Sequence, residues 1–216
     1  DLCCKQEEMN MKNVIKVFLV CVIICLTGCN PFPEKSKKPV IYLYPEKTTE
    51  VDVKVNLDGK FTTTYPKYND GWKVVAEPDG TLHALDNKDS YYCLFWEGVV
   101  KYTPDFSTGF VVEGSKTEVF LEEALTKLGL NDRERNEFII YWLPQMQGNA
   151  YNLISFQNEN YTDHAELDIS PKPDTVIRVM MAWKPLQEST MIQPQQLDSV
   201  ERKGFTVVEW GGTEYK

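Results

Sequence analysis

The run Val51-Asp52-Val53-Lys54-Val55-Asn56-Leu57-Asp58-Gly59-Lys60-Phe61-Thr62-Thr63-Thr64-Tyr65 decides the fold class. Val51, Val53, Val55 and Leu57 alternate with Asp52, Lys54 and Asn56, the period of a strand with one buried and one wet face. Asp58-Gly59 follows at once, and the residues after it are again β-branched and aromatic. The segment therefore predicts two antiparallel strands joined by a tight type I′ hairpin. Outward from it, Asn69-Asp70-Gly71 and Pro78-Asp79-Gly80 punctuate two further short strands, Trp72 to Ala76 and Thr81 to Ala84. The N-terminal half thus reads as an antiparallel meander. Upstream, Val40-Ile41-Tyr42-Leu43-Tyr44 is another strand, closed by Pro45.

Tyr91 to Trp96 is apolar at every position, which predicts a central strand covered on both faces. Helices supply the second cover. Lys116 to Leu128 places Val119, Phe120, Ala124, Leu125 and Leu128 on one stripe, with Gly129 where a left-handed C-cap is wanted. Asn131-Asp132-Arg133-Glu134 has capping-box spacing and opens a second helix, which Pro144 is expected to stop. β-Strands return at Tyr151 to Phe156, Ala165 to Ile169, Val176 to Trp183 and Phe205 to Trp210. The expected fold class is α+β: a mostly antiparallel sheet, or two, with a helical pair packed on one face.

The N-terminal segment gives an address. Met11-Lys12-Asn13-Val14-Ile15-Lys16 is a positive region, Val17 to Leu26 an apolar stretch well short of the roughly 20 residues that span a bilayer, and Thr27-Gly28 a small pair before Cys29. The arrangement resembles the lipobox of bacterial lipoproteins, which implies cleavage after Gly28 and lipid on Cys29. On this reading residues 1–10 are upstream residues, 11–28 a signal peptide, 29–39 a lipidated cysteine with a Pro/Lys-rich tether, and 40–216 one globular domain. Three prolines and little apolar surface between Asn30 and Pro39 predict a stiff spacer of up to roughly 30 Å.

Of six cysteines, Cys3, Cys4, Cys21 and Cys25 precede the expected cleavage point and Cys29 is acylated, so no disulfide is expected. Cys93, inside the most apolar run of the mature chain, is expected to be a buried, inert thiol. Residues 1–28 carry three lysines against three acids, so the mature chain keeps the net charge of −9. That balance, with no basic stripe interleaved with aromatics, excludes nucleic acid as a partner class.

The strings Lys38-Pro39-Val40-Ile41-Tyr42-Leu43-Tyr44-Pro45, Tyr91-Tyr92-Cys93-Leu94-Phe95-Trp96-Glu97-Gly98, Tyr141-Trp142-Leu143-Pro144, Pro171-Lys172-Pro173-Asp174-Thr175 and Arg202-Lys203-Gly204-Phe205-Thr206-Val207-Val208-Glu209-Trp210-Gly211-Gly212 resemble a family of uncharacterised bacterial lipoproteins. The resemblance runs from about Lys38 to near the C-terminus. It implies an exported, lipid-anchored domain and brings no activity, cofactor or catalytic residue with it.

Three constellations bear on chemistry. His164, Glu166 and Asp168 project from one face if they lie on a strand, which would suit a metal, but Ala165, Leu167 and Ile169 would make that trio simply the wet face. Glu97 and Glu209, each beside a tryptophan, offer an acid and a base for glycoside cleavage. Arg178, inside Val176-Ile177-Arg178-Val179-Met180-Met181, competes for them, since a guanidinium in a central strand needs a carboxylate partner. Tyr65, Tyr68, Trp72 and Tyr102, with Tyr91 and Tyr92, offer aromatic surface on which sugars or partner proteins could dock, although ordinary core packing is the commoner role of any single one of them. No cofactor is expected.

The reading that follows is an extracytoplasmic, membrane-anchored domain that binds a cell-wall glycan or an envelope protein without chemistry of its own. A carboxylate-dependent hydrolase is the second reading and an assembly factor working through sheet edges the third. Two carboxylates converging in a cleft would favour hydrolysis, and an exposed aromatic surface without them would favour binding.

Overall fold

A computed structural model describes residues 34–85, 89–157 and 159–215. The signal segment and Cys29 lie outside the described residues. Two sheets form: strands β1 (Glu34–Tyr44), β3 (Gly59–Tyr65), β7 (Leu94–Val100), β8 (Thr108–Glu113), β9 (Tyr151–Gln157), β11 (Thr175–Leu186), β12 (Gln193–Pro194) and β13 (Thr206–Glu214) make the larger. Its order is β12-β8-β9-β11-β13-β1-β7-β3. Strands β2 (Thr49–Leu57), β4 (Trp72–Ala76), β5 (Leu82–Ala84), β6 (Ser90–Tyr91) and β10 (Ala165–Ser170) make the smaller, in the order β10-β2-β4-β5-β6. Pairing is antiparallel except between β11 and β13 and at the short β12–β8 contact. The α+β class, mainly sheet, holds.

The larger sheet is buried on both faces, which is why its strands read as continuous apolar runs. One face carries helices α1 (Thr117–Lys127) and α2 (Asp132–Met146), whose Leu121, Leu125, Phe138, Trp142 and Met146 pack on Tyr42, Ile154, Val179, Met181 and Trp210. The other face meets the smaller sheet, where Ile41, Leu43, Trp96, Met180 and Val207 pack with Val51, Val53, Val55, Trp72 and Val74. Alternation along β1 assigns Val40 and Tyr42 to one core and Ile41 and Leu43 to the other.

The hairpin expected at Asp58-Gly59 does not form. β2 pairs with β4 and β10, whereas β3 pairs with β7, so the chain crosses from one sheet to the other at this dipeptide. Local turn chemistry loses here to the ladder partners each strand finds elsewhere. Asp58 is pinned as a corner: its N–H donates to the His164 carbonyl at 2.8 Å, and its carbonyl accepts from the Lys101 N–H at 2.9 Å.

Two further boundaries move. Tyr91 to Trp96 is not one strand, because β6 ends at Tyr91 in the smaller sheet and β7 begins at Leu94 in the larger. Residues 34–39, expected as tether, belong to β1: Glu34 pairs with Val100, Ser36 with Gly98 and Lys37 with Gly212. Backbone groups pair irrespective of side-chain polarity, so a charged segment adds to the sheet wherever unpaired strand backbone lies beside it. The globular part therefore starts before Val40.

The helix signals are more local and hold better. Gly129 has φ +91°, and the N–H groups of Gly129 and Leu130 bond to the carbonyls of Thr126 and Leu125, a Schellman end to α1. Asn131 Oδ1 accepts from the Glu134 N–H at 3.0 Å while a Glu134 carboxylate oxygen accepts from the Asn131 N–H at 2.9 Å, the capping box. Val119 is 58% exposed, so Leu121 replaces it on the buried stripe. Pro144 does not stop α2, which runs two residues further. The carbonyl it leaves without an N–H is that of Ile140, on a residue 74% exposed, so the break in the helix ladder falls on the solvent side.

Candidate functional site

The parallel register of β11 and β13 sets Arg178 opposite Glu209. Arg178 Nε donates to Glu209 Oε2 at 2.8 Å and Nη2 stands 2.7 Å from the same oxygen, while Nη2 also donates to the Ala165 carbonyl at 2.6 Å. The other carboxylate oxygen accepts from Trp96 Nε1 at 3.1 Å, and the guanidinium lies 5.0 Å from the Tyr161 ring centre. Glu209 is 1% exposed, so an ionised pair is held here by short, charge-assisted hydrogen bonds in a dry place.

Glu97 is not part of this group. Trp96 points into the core between the sheets, and the next residue along the strand projects from the opposite face. There Glu97 accepts from the Lys38 N–H at 3.3 Å on the helix side, where burial and then the Glu97 carboxylate push the Tyr141 phenol upward. The two glutamates expected as acid and base are thus separated by the sheet itself. Glu209 is a structural ion-pair partner, and the two glutamates, on opposite faces of the sheet, do not form a glycosidase dyad.

The metal trio also disperses. His164 precedes β10, and its Nδ1 stands 3.2 Å from Asp58 Oδ2, while Glu166 accepts from Asn56 Nδ2 at 3.4 Å across the β2–β10 pair. Glu166 and Asp168 are the wet face of β10, with Ala165 and Ile169 buried beneath. Lys101, and after it His164, hold the Asp58 carboxyl below its ordinary range. Among the described residues no cluster of three His, Cys, Asp or Glu side chains could hold a metal.

The four aromatic candidates divide. Trp72 and Tyr102 are core residues at 3% and 6% exposure, the indole N–H of Trp72 donating to the Pro66 carbonyl at 2.8 Å. Tyr68 packs edge-on against Trp72 at 4.7 Å, and its hydroxyl accepts from the Val55 N–H. Tyr65 alone of the four is mostly exposed, edge-to-face with Tyr91 at 5.5 Å. Trp72 and Tyr91 line an open groove of about 550 Å³ together with Leu85 and residues 66, 67 and 69–71. Lys54, Lys67, Lys73, Asp52, Asn69 and Asp70 supply its polar lining. Of these Trp72 and Tyr91 are legible in the sequence as aromatic candidates; the signal for the rest is the Asn69-Asp70-Gly71 turn, which folds the loop back toward β2. Gly71, at φ +127°, lets it approach the Lys54 side chain.

A wider depression of about 910 Å³ lies beside Arg178, lined by Asp163, Glu166, Asp168 and Lys172 and lacking any aromatic ring. The guanidinium at its wall is already engaged by Glu209 and Ala165.

Cys93 is buried among Tyr42, Phe138 and Val40 in the helix-side core, and burial pushes its thiol up to about 12. Cys93 in the folded chain should therefore resist a thiol reagent at neutral pH and react once denatured; rapid labelling of Cys93 itself without denaturant would contradict the burial. A thiol whose folded value lies above its unfolded value contributes stability that is complete below the unfolded value and is lost as pH rises toward the folded one. Between pH 9 and 12 each pH unit should then cost about 1.4 kcal/mol through this thiol. Cys93→Ala should lose less stability than the parent between pH 9 and 10, before the buried tyrosines titrate, in urea melts over that range.

No family model, no curated protein and no solved structure matches this chain.

Proposed function

We infer that the chain is a lipid-anchored extracytoplasmic binding module, and that the groove bordered by Trp72 and Tyr91 takes a segment of cell-wall glycan. The observation that carries this is the groove's composition: the Tyr91 ring and the exposed Leu85 side chain over buried Trp72, ringed by amide, carboxylate and ammonium groups. Sugar rings present C–H faces to aromatic surfaces and hydroxyls to Asp and Asn, while the lysines suit the carboxylates of an acidic glycan. The resemblance to lipoproteins and the Lys-apolar-Thr27-Gly28-Cys29 pattern support the address. The hydrolase reading has lost its two carboxylates to opposite faces of the sheet.

The test is retention on purified insoluble cell wall. Tyr91→Ala, at a partly buried position lining the groove, should weaken retention by about tenfold, the loss of about 1.4 kcal/mol expected of a central aromatic contact, under conditions where a urea melt shows the variant to be fully folded. Equal retention of parent and variant would overturn the site. Retention on a protein fraction instead of the glycan would favour an envelope protein as partner. In the same cells, Cys29→Ser should move the chain from the membrane to the soluble fraction; full membrane retention of that variant would overturn the anchor.

A further inference from the structure

The early start of β1 shortens the leash. If Cys29 carries lipid, only 34 − 29 = 5 residue steps separate it from Glu34, the first paired residue of the larger sheet. Fully extended, five steps reach about 17 Å. The headgroup layer takes up about 5 to 7 Å of that on each side of the bilayer. The remaining clearance of about 10 Å is close to the electrostatic screening length of about 8 Å at physiological salt. The end of the sheet at which Glu34 lies is thereby held where headgroup charge is felt.

Four neighbouring strands, β3, β7, β1 and β13, end in a row there, and β11 beside them runs three residues further, to Leu186. Glu34 pairs with Val100, which pairs with Gly59; on the other side Trp183 of β11 pairs with Glu214 of β13, and the Tyr215 N–H donates to the Trp183 carbonyl at 2.7 Å. Lys60 and Lys101 stand exposed at this end, the Lys101 side chain at 71%. Lys184 lies 4.9 Å from the Phe106 ring centre and 5.9 Å from that of Tyr215, and the two rings are 5.7 Å apart. Lysine beside half-buried aromatic rings is the composition that settles at a membrane–water boundary. Charge at this end is partly paired within the protein, Lys101 with Asp58, which also faces His164, and Lys37 with Glu214, while Asp105 holds Ser107 and Asp163 is exposed beside them; among the described residues Lys60 and Lys184 carry no ion pair.

We propose that this end, carrying Lys60, Lys101, Phe106, Lys184 and Tyr215, is a membrane-apposed face that lays its lysines against anionic phospholipid headgroups. The proposal rests on the lipid-anchor reading and adds an orientation to it. Each lysine so placed contributes about fivefold to the population of the apposed orientation.

The experiment uses the lipidated full chain reconstituted in phosphatidylglycerol-containing or pure phosphatidylcholine vesicles that carry a quencher on a fraction of their headgroups. A fluorophore is attached at Thr103→Cys, two residues beyond Lys101, or at Glu46→Cys, just past the opposite end of β1. Quenching at position 103 should exceed that at 46 severalfold on phosphatidylglycerol vesicles. It should fall in the Lys60→Glu/Lys101→Glu background and in 1 M salt, where screening shortens to about 3 Å. A chain that floats with the vesicles yet shows equal quenching at 103 and 46 overturns the proposed face and leaves the anchor standing. Severalfold excess that neither the charge reversal nor salt changes overturns the headgroup contact and leaves the short leash as the sole cause of the orientation. A chain that does not float with the vesicles overturns the anchor and the face together.

Discussion

Replacing Arg178 by Met is expected to lower the stability of the chain by about 3 to 5 kcal/mol, the usual cost of removing one partner from a buried ion pair. The cation itself is not what makes the loss large. Glu209, 1% exposed and bound through its Oε2 to Arg178, keeps only the Trp96 indole N–H as a donor once the guanidinium is gone. An ionised carboxylate with one hydrogen bond in an apolar layer is far less favourable than the same group in water. Chemical denaturation of the Cys29→Ser chain with and without Arg178→Met measures this directly. A change within about 0.5 kcal/mol, the range of an exposed surface substitution, would place Arg178 in solvent and overturn the pair.

A companion variant sharpens the result. Arg178→Met combined with Glu209→Leu removes both charges and should recover most of the stability, since apolar replacement of a whole buried pair is often neutral or better. The same pairing bears on function. A glutamate fixed as an anion by arginine cannot donate a proton in the way a glycosidase acid must, so the geometry that stabilises this fold also removes Glu209 from catalysis.

How far the sequence could be read depended on the range of the determinant. Both helix ends were legible, because Asn131 with Glu134 and Gly129 after Lys127 act within a single turn. The need for an Arg178 partner was legible too, since a lone charge in an apolar run has few alternatives. Which glutamate answers it was not, because the choice between Glu97 and Glu209 depends on a register set between strands 31 residues apart for Glu209 and on which face of β7 holds Trp96. Which of the aromatics would be buried was hidden for a related reason. Trp72 and Tyr102 each sit beside turn residues that signal surface, and they are buried where the smaller sheet, to which Trp72 belongs, meets the larger. Residues 34–39 look like linker because composition reports side-chain polarity, whereas their place in the sheet is a backbone matter.

The Asp58-Gly59 corner supplies the second large effect: Gly59→Ala and Gly59→Asn should each destabilise by about 3 kcal/mol, the upper range for forcing extra atoms into a packed site. A Cβ placed on Gly59 would lie 1.9 Å from the Val99 carbonyl oxygen and 3.2 Å from the Val100 Cα. Both are backbone atoms of β7, so no side chain can swing aside, and relief requires parting β3 from the ladder that joins Gly59 to Val100 and Lys60 to Val99. The asparagine variant separates the two structures this dipeptide could adopt. In a type I′ hairpin the glycine is needed only for its positive φ, which asparagine tolerates, so Gly59→Asn would be nearly harmless. Here the backbone at Gly59 is not left-handed and the requirement is absence of a Cβ, so asparagine should fare no better than alanine. Gly148 is the internal control, because a Cβ there would meet nothing within 4 Å and its φ is not positive; Gly148→Ala should be neutral or stabilise by up to about 1 kcal/mol through the unfolded chain. Urea melts of the three variants decide it. A Gly59→Asn chain within about 0.5 kcal/mol of the parent would mean that β2 and β3 pair as a hairpin after all, and the division of the strands between two sheets would have to be redrawn.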